Sequence, residues 1–302
     1  MKNTRDQEKK VVGFNILEEE CVWMKSGLVS FKRCENAYDC NNCQYDKAMT
    51  AAVKSAKEGA PAKPTFREKA KLQSYMEREC RHMMSGRVAV RKCGNDYRCD
   101  VCDFDQSMDE IDSVYPIGLV PIVEVNGYRY SDSYYYHRGH AWARVEYGGR
   151  ARIGLDDFAL KLLGRPDRLE LPGPGRHVSR DEPFFALMRE GHAADVLAPT
   201  DGTVLAINYE ALERPGSIHD DPYGKGWLMI VEPSRLKKNL ETLYFGETGK
   251  SWLDRECGEL QSLVMSQYGA MAATGAPPLD DLFGFHPEIG WSTLVKRFLK
   301  TG

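Results

Sequence analysis

The sequence predicts a mostly β chain with helices, in which a β-sandwich or barrel follows two small cysteine-rich modules. Three observations carry this reading. A block of 29 residues holding four cysteines is written twice; short alternating strands with Gly-Gly, Pro-Gly and Asp-Gly turns fill the middle; and a helical apolar spacing closes the chain. The organisation expected is a first module at 12–58, a linker with helix at 59–79, a second module at 80–115, the β domain at 117–246 and a helical extension at 247–302.

At 302 residues, 42% hydrophobic and 28% charged, the chain can build two or more domains and a sizeable core. A net charge of −3 argues neither for nor against nucleic acid or acidic membranes. MKNTRDQEKKVVGF lacks the apolar run of a secretory signal, and no stretch approaches the length of a membrane span. A cytoplasmic location is therefore expected, and in a reducing compartment repeated cysteine spacing points to metal rather than to disulfides.

The two blocks run from Cys21 to Met49 and from Cys80 to Met108, each reading C-x12-C-x5-C-x2-C. Cys21, Cys34, Cys40 and Cys43 map onto Cys80, Cys93, Cys99 and Cys102, and Met24, Gly27, Tyr38 and Asp46 onto Met83, Gly86, Tyr97 and Asp105. A Cys-x-x-Cys pair suits a tight turn aiming two thiolates at one ion, with two more ligands from the same module. GLVSFKRC and GRVAVRKC read as alternating strands entered through a Ser-Gly turn. Four thiolates fit tetrahedral zinc, which supplies folding energy that so small a core lacks. An iron–sulfur cluster and a metal-free thiol cluster are the competing readings, although ferredoxin-type spacings differ from this one. Four basic residues face three acidic ones in the first block, and five face four in the second, a poor phosphate footprint; nucleic acid is not an expected partner. Between the blocks, helix, a break at about 59–64 and a second helix into Cys80 are expected, leaving the modules as beads able to rotate against each other. DQSMDEIDSVYP reads as a helix closed by Pro116.

In the β half, RVEYGGRARIGL predicts a hairpin across Gly148-Gly149, and VLAPTDGTVLAIN another around Asp201-Gly202. Helices are expected at Asp156–Leu163 and Pro233–Leu243. HRGHAWARVE with His140 and Trp142, IGLDDFALKLLG, LELPGPG, VLAPTDGTV and above all IHDDPYGKGWL together resemble the glycine cleavage H-protein over about residues 134–245. The resemblance implies a barrel-sandwich hybrid, the fold of lipoyl and biotinyl carriers, in which a lysine at a hairpin tip carries lipoate between partner enzymes. Aligning on Asp195 and Ala198-Pro199 puts Gly191 at that position, with His192 one residue on. No lysine lies between Lys161 and Lys225, so bound lipoate is not expected.

His192 lies near Glu190 and Asp195, but an exposed tip without a pocket or nucleophile makes it a surface histidine rather than a catalytic one. His137 and His140 are read as fold residues, and Tyr134 to His137 as a strand buried against the chain leaving the cysteine module. Trp252, Leu253, Leu260, Leu263 and Val264 fall at helical spacing and should pack back on the sandwich; Cys257 among them reads as a free thiol. FGFHPEIGWSTLVKRFL predicts a last short helix covering an apolar surface or docking on a partner. The function expected is a non-catalytic adaptor with protein partners and two zinc-type sites. A regulatory component of glycine cleavage and an iron–sulfur electron-transfer protein are the alternatives.

Overall fold

The protein is seen as a computed structural model, described at Cys21, Trp23, Cys34, residues 40–57, 68–69, 71–114, 122–268 and 279–302. The strand expected at 27–33, the break at 59–64, Pro116 and the loop at 269–278 lie outside these residues.

Twelve described strands form three sheets. They are β1 (Ile122–Val125), β2 (Tyr128–Ser131), β3 (Tyr135–Tyr136), β4 (Ala141–Val145), β5 (Ala151–Leu155), β6 (Arg168–Glu170), β7 (His177–Val178), β8 (Pro183–Arg189), β9 (His192–Leu197), β10 (Gly202–Ile207), β11 (Met229–Pro233) and β12 (Tyr244–Phe245). One sheet runs β12-β3-β4-β5-β11-β10-β7, a second β6-β8-β9, and β1 pairs with β2 alone. All pairings are antiparallel.

The hairpin at Gly148-Gly149 forms as expected, both glycines taking positive φ between β4 and β5. A hairpin that strand periodicity alone did not assign joins β1 to β2 across Asn126-Gly127, whose positive φ values of 50° and 80° suit that dipeptide. The one expected around Asp201-Gly202 does not form. There the chain crosses between sheets, β9 pairing with β8 and β10 with β11 and β7. Gly202 pairs instead with Pro233 of β11 and Val178 of β7, and the Asp201 carboxylate accepts from Arg235 at 2.6 Å and from Asn239 at 3.0 Å.

The amphipathic stretches fold as helices α1 (Gln44–Lys57), α2 (Asp103–Val114), α3 (Asp157–Leu163) and α4 (Glu247–Tyr268). Asp156 caps α3 by accepting the Ala159 N–H at 2.9 Å. The helix expected at Pro233–Leu243 shortens to Leu236–Leu240, because Pro233 still belongs to β11. The helix expected to lead into Cys80 is absent from residues 71–79, which form turns and one 3-10 turn, Tyr75–Glu77. Alternation in GRVAVRKC also misleads: Gly86–Val90 has no strand partner, and only a Glu79–Lys92 bridge flanks it.

One core unites the barrel, α4 and the C-terminal segment. Tyr134, Tyr136, Trp142, Ile153, Leu187, Val231, Trp252, Leu294 and Phe298 all belong to it. The family-like string gains its meaning here. Asp221 accepts the N–H groups of Gly224 and Lys225, Tyr223 donates to Arg129 O at 2.9 Å, and Trp142 Nε1 donates to Leu155 O and Pro222 O. Asp221 thus closes the turn on itself, while Pro222 and Tyr223 tie it to β4 and β2. Of the tyrosine run, Tyr134 and Tyr136 are buried in the barrel, while Tyr135 alone reaches the second module, donating to Met84 O at 2.6 Å.

Candidate functional site

Two places gather the residues that the sequence singled out: the tip of the β8–β9 hairpin, and the cysteine modules. Arg189 pairs with His192, which leaves Glu190 and Gly191 as a two-residue turn with φ of 49° and 81°. Positive φ at both positions is the type I′ geometry, and glycine adopts it without strain. A Cβ at Gly191 would meet nothing within 4 Å, so the tip points into open space.

His192 is exposed, as expected, but it is not an isolated surface residue. Its ring stacks on Trp291 at 5.4 Å and meets Phe283 edge-on at 5.3 Å. Trp291 Nε1 donates to Ala193 O at 2.8 Å, and Thr301 Oγ1 donates to Asp195 O at 2.7 Å. Beside them Arg189 grips Asp281, Nη2 to Oδ2 at 2.7 Å, and also donates to Leu163 O. Burial works to raise the Asp281 pKa, but Arg189 and the Gly284 N–H prevail and hold it below the usual carboxylate range. The C-terminal segment therefore lies along β9, while the turn itself is held at Glu190, whose N–H donates to Asp167 at 2.6 Å and whose carboxylate accepts from Arg189 at 3.2 Å. The contacts of the C-terminal segment join residues about a hundred positions apart, and periodicity carries no signal of them.

His137 and His140 are held within the fold. His137 donates from Nε2 to Asp181 at 3.0 Å while its Nδ1 accepts the Gly139 N–H, so both ring nitrogens are engaged. His140 sits fully buried between Phe158 and Trp252, 2.8 Å from Asp156 and 3.7 Å from Glu256. Burial opposes its protonation, yet the two carboxylates outweigh that and raise it to about 9. Cys257 is a buried thiol pushed up to about 12 by burial, as a small apolar residue should be.

In the modules the duplication extends to local structure. Each Cys-x-x-Cys forms a 3-10 turn, Cys40–Asn42 and Cys99–Val101, closed by an N–H to carbonyl bond of 3.1 Å and followed at once by α1 or α2. Asp46 accepts from Trp23 Nε1 at 2.7 Å, and Asp105 from His82 Nε2 at 2.9 Å; Trp23 and His82 occupy the same register position. In the second module Arg81 joins Asp105 as well, and these bonds overcome burial to hold Asp105 down to about 2.

All nine cysteines are free thiols. Among the described residues, no three His, Cys, Asp or Glu side chains converge as an ion would need. The donor chemistry still suits a thiolate-bound metal. Cys93 Sγ accepts the Tyr97 N–H at 3.2 Å. N–H groups aimed at sulfur stabilise thiolate over thiol. Burial acts in the opposite sense, raising Cys80 and pushing Cys99 up to about 12.

Residues 134–255 match the family model described as glycine cleavage H-protein. The chain is 38% identical over 121 residues to the glycine cleavage system H protein of Carboxydothermus hydrogenoformans, covering 40% of this chain and 92% of that one. It is 32% identical over 132 residues to the probable glycine cleavage system H protein of Pyrococcus horikoshii, covering 44% and 98%. Among solved structures, a glycine cleavage system H protein from Mycobacterium marinum matches with 30% identity and a TM-score of 0.33, covering 35% of this chain and 87% of that one.

Proposed function

The chain belongs to the glycine cleavage H-protein family through residues 134–255, and from this we propose that it is a non-catalytic relative that docks partner proteins without carrying lipoate. The observation that carries the proposal is the hairpin tip, where Glu190 and Gly191 stand with no primary amine. Lipoate is attached through an amide to a lysine, and neither Gly191 nor His192 can form one. The nearest lysines in sequence, Lys161 and Lys225, are outside the hairpin. Lys161 is also committed, donating to Gly127 O at 3.1 Å and pairing with Asp157.

The eight repeated cysteines, Cys21, Cys34, Cys40, Cys43, Cys80, Cys93, Cys99 and Cys102, form two tetrathiolate sites in this proposal, with zinc as the ion. Zinc would supply folding energy and no redox chemistry. The partners are enzymes of glycine cleavage or another lipoyl-dependent system, recognised through the surfaces that the barrel keeps. Metal content and the visible spectrum of protein purified without oxygen test this. About two zinc per chain and no colour are expected. Iron with sulfide and a broad visible band would instead favour an electron-transfer protein, the second reading that four thiolates per module support.

A further inference from the structure

We propose that a cleft beside the β3–β4 turn binds a small organic monocarboxylate, held by the Arg138 guanidinium and the Tyr244 hydroxyl. The cleft has a volume of about 240 Å³ and is lined by His137, Arg138, Asp181, Thr242 and Tyr244. It shares no lining residue with the hairpin tip or with either cysteine module.

Three segments build the walls, and each is fixed by its own bonds. The β3–β4 turn closes through His137 N–H to Ala141 O and His140 N–H to His137 O. Asp181 lies between β7 and β8 with φ of 64°, a left-handed backbone uncommon outside glycine, and its N–H donates to Ala198 O at 3.0 Å. The Asp181 carboxylate accepts from His137 Nε2 at 3.0 Å and from Arg180 Nε at 3.1 Å. Arg180 also donates to Thr242 Oγ1, whose own hydroxyl donates to Asn239 O, both at 2.8 Å. Tyr244, at the start of β12, stacks on Trp252 at 5.1 Å, which holds its ring in place.

Two donors on these walls are unused. The Arg138 side chain is 58% exposed, and among the described residues its one hydrogen-bonding contact is a 3.4 Å approach to Asp181, so most of a guanidinium's five N–H groups are open to a ligand. The Tyr244 hydroxyl has no hydrogen-bond partner among the described residues. Fixed walls and two unused donors on one cleft make a preorganised site for an acceptor.

Charge selects the ligand. Of the groups that line the cleft or bond to those lining it, Arg138 and Arg180 are cations and Asp181 is an anion. Burial works to raise the Asp181 pKa, but His137, Arg180 and Arg138 prevail and hold it below the usual carboxylate range. Burial keeps His137 below its ordinary value against the pull of Asp181, and with Nδ1 accepting the Gly139 N–H the ring is uncharged at neutral pH. One net positive charge remains, which a monoanion balances; a phosphate dianion would leave excess negative charge beside Asp181. A carboxylate also matches the guanidinium fork, two parallel N–H donors facing two oxygens. The volume falls below the roughly 300–1,000 Å³ of pockets that enclose drug-sized molecules, so the ligand is an acid of a few carbons rather than a nucleotide or a large cofactor.

The test titrates the full chain with sodium propionate, and separately with inorganic phosphate, at constant ionic strength while amide chemical shifts are followed by NMR. Propionate should saturate with a Kd of about 1 mM and move the amides of residues 137–139, 181 and 242–244, while phosphate at the same concentration moves none of them. Arg138→Ala should weaken propionate by about tenfold or more, and Tyr244→Phe, which keeps the stack on Trp252, by about fivefold. Arg165→Ala, which removes an exposed guanidinium elsewhere, should leave the affinity as it is. No saturable binding of propionate, or an affinity untouched by Arg138→Ala, would overturn the site. Phosphate binding as tightly as propionate would overturn the choice of a carboxylate. A short aspartate-containing peptide that binds more tightly than propionate would make the occupant a side chain of a partner protein, and would overturn the assignment to a free small acid.

Discussion

Open space around Gly191 and a φ of 81° set what a side chain there would do. Gly191→Lys should fold, its side chain meeting no neighbour, at a cost of about 1–2 kcal/mol for an L-residue in the left-handed region. A thermal midpoint lowered by a few degrees would measure that cost. Asp281 is the second informative residue. Asp281→Asn strips the charge partner from Arg189, whose side chain is 10% exposed, and should cost about 1–3 kcal/mol at neutral pH in urea denaturation. Because the Asp281 pKa is depressed in the fold, its stabilisation is complete above the ordinary value of 3.8 and is lost as pH falls through the folded value. The penalty of the variant should therefore shrink below pH 3.8, and a penalty independent of pH would show that the carboxylate charge is not what matters. His140 has the opposite sign. Its pKa is raised to about 9, so its contribution is full below 6.5 and disappears as pH climbs to about 9. His140→Gln should flatten the stability slope over that window.

Among the elements, the C-terminal segment has the largest consequence. Leu294, Phe298 and Leu299 are fully buried, and at about 1.5–3 kcal/mol each they make the segment a permanent part of the core rather than a lid. A chain truncated before residue 279 should aggregate, not expose a working hairpin; a soluble, cooperatively melting truncation would contradict this. Trp291→Ala, which removes the stack on His192 and the bond to Ala193 O, should cost about 3–5 kcal/mol. Local signals announced the elements unevenly. Gly148-Gly149, the helix over Asp156–Leu163 and the Trp252 to Leu263 spacing each encode their own turn or face, and all were legible. Asp201-Gly202 has the same composition as a hairpin turn, yet β10 pairs with β11, about thirty residues further on, rather than with β9. Alternation in GRVAVRKC has no partner strand to pair with, which a sequence pattern does not state. The aromatic cover on His192 depends on side chains about a hundred residues downstream, so a hairpin tip legible in outline was illegible in its surroundings.

For the molecule as a whole, the second cysteine module is part of the barrel's core rather than a freely rotating bead, and the extension closes the face along β9. Among the described residues no helix is long and apolar enough to cross a membrane. A docking adaptor built this way should bind glycine cleavage enzymes, or those of a related lipoyl-dependent system, through its barrel in a manner insensitive to Gly191. Binding of the wild type and Gly191→Lys to the purified pyridoxal-dependent decarboxylase and lipoamide dehydrogenase would check this, with equal affinities expected. The most direct measurement is the intact mass of the wild-type chain after incubation with lipoate ligase, lipoate and ATP, beside a family member that has the lysine. An unchanged mass for this chain, with complete modification of the other, is the predicted result. A lipoyl adduct on any lysine, the exposed Lys225 included, would contradict the account.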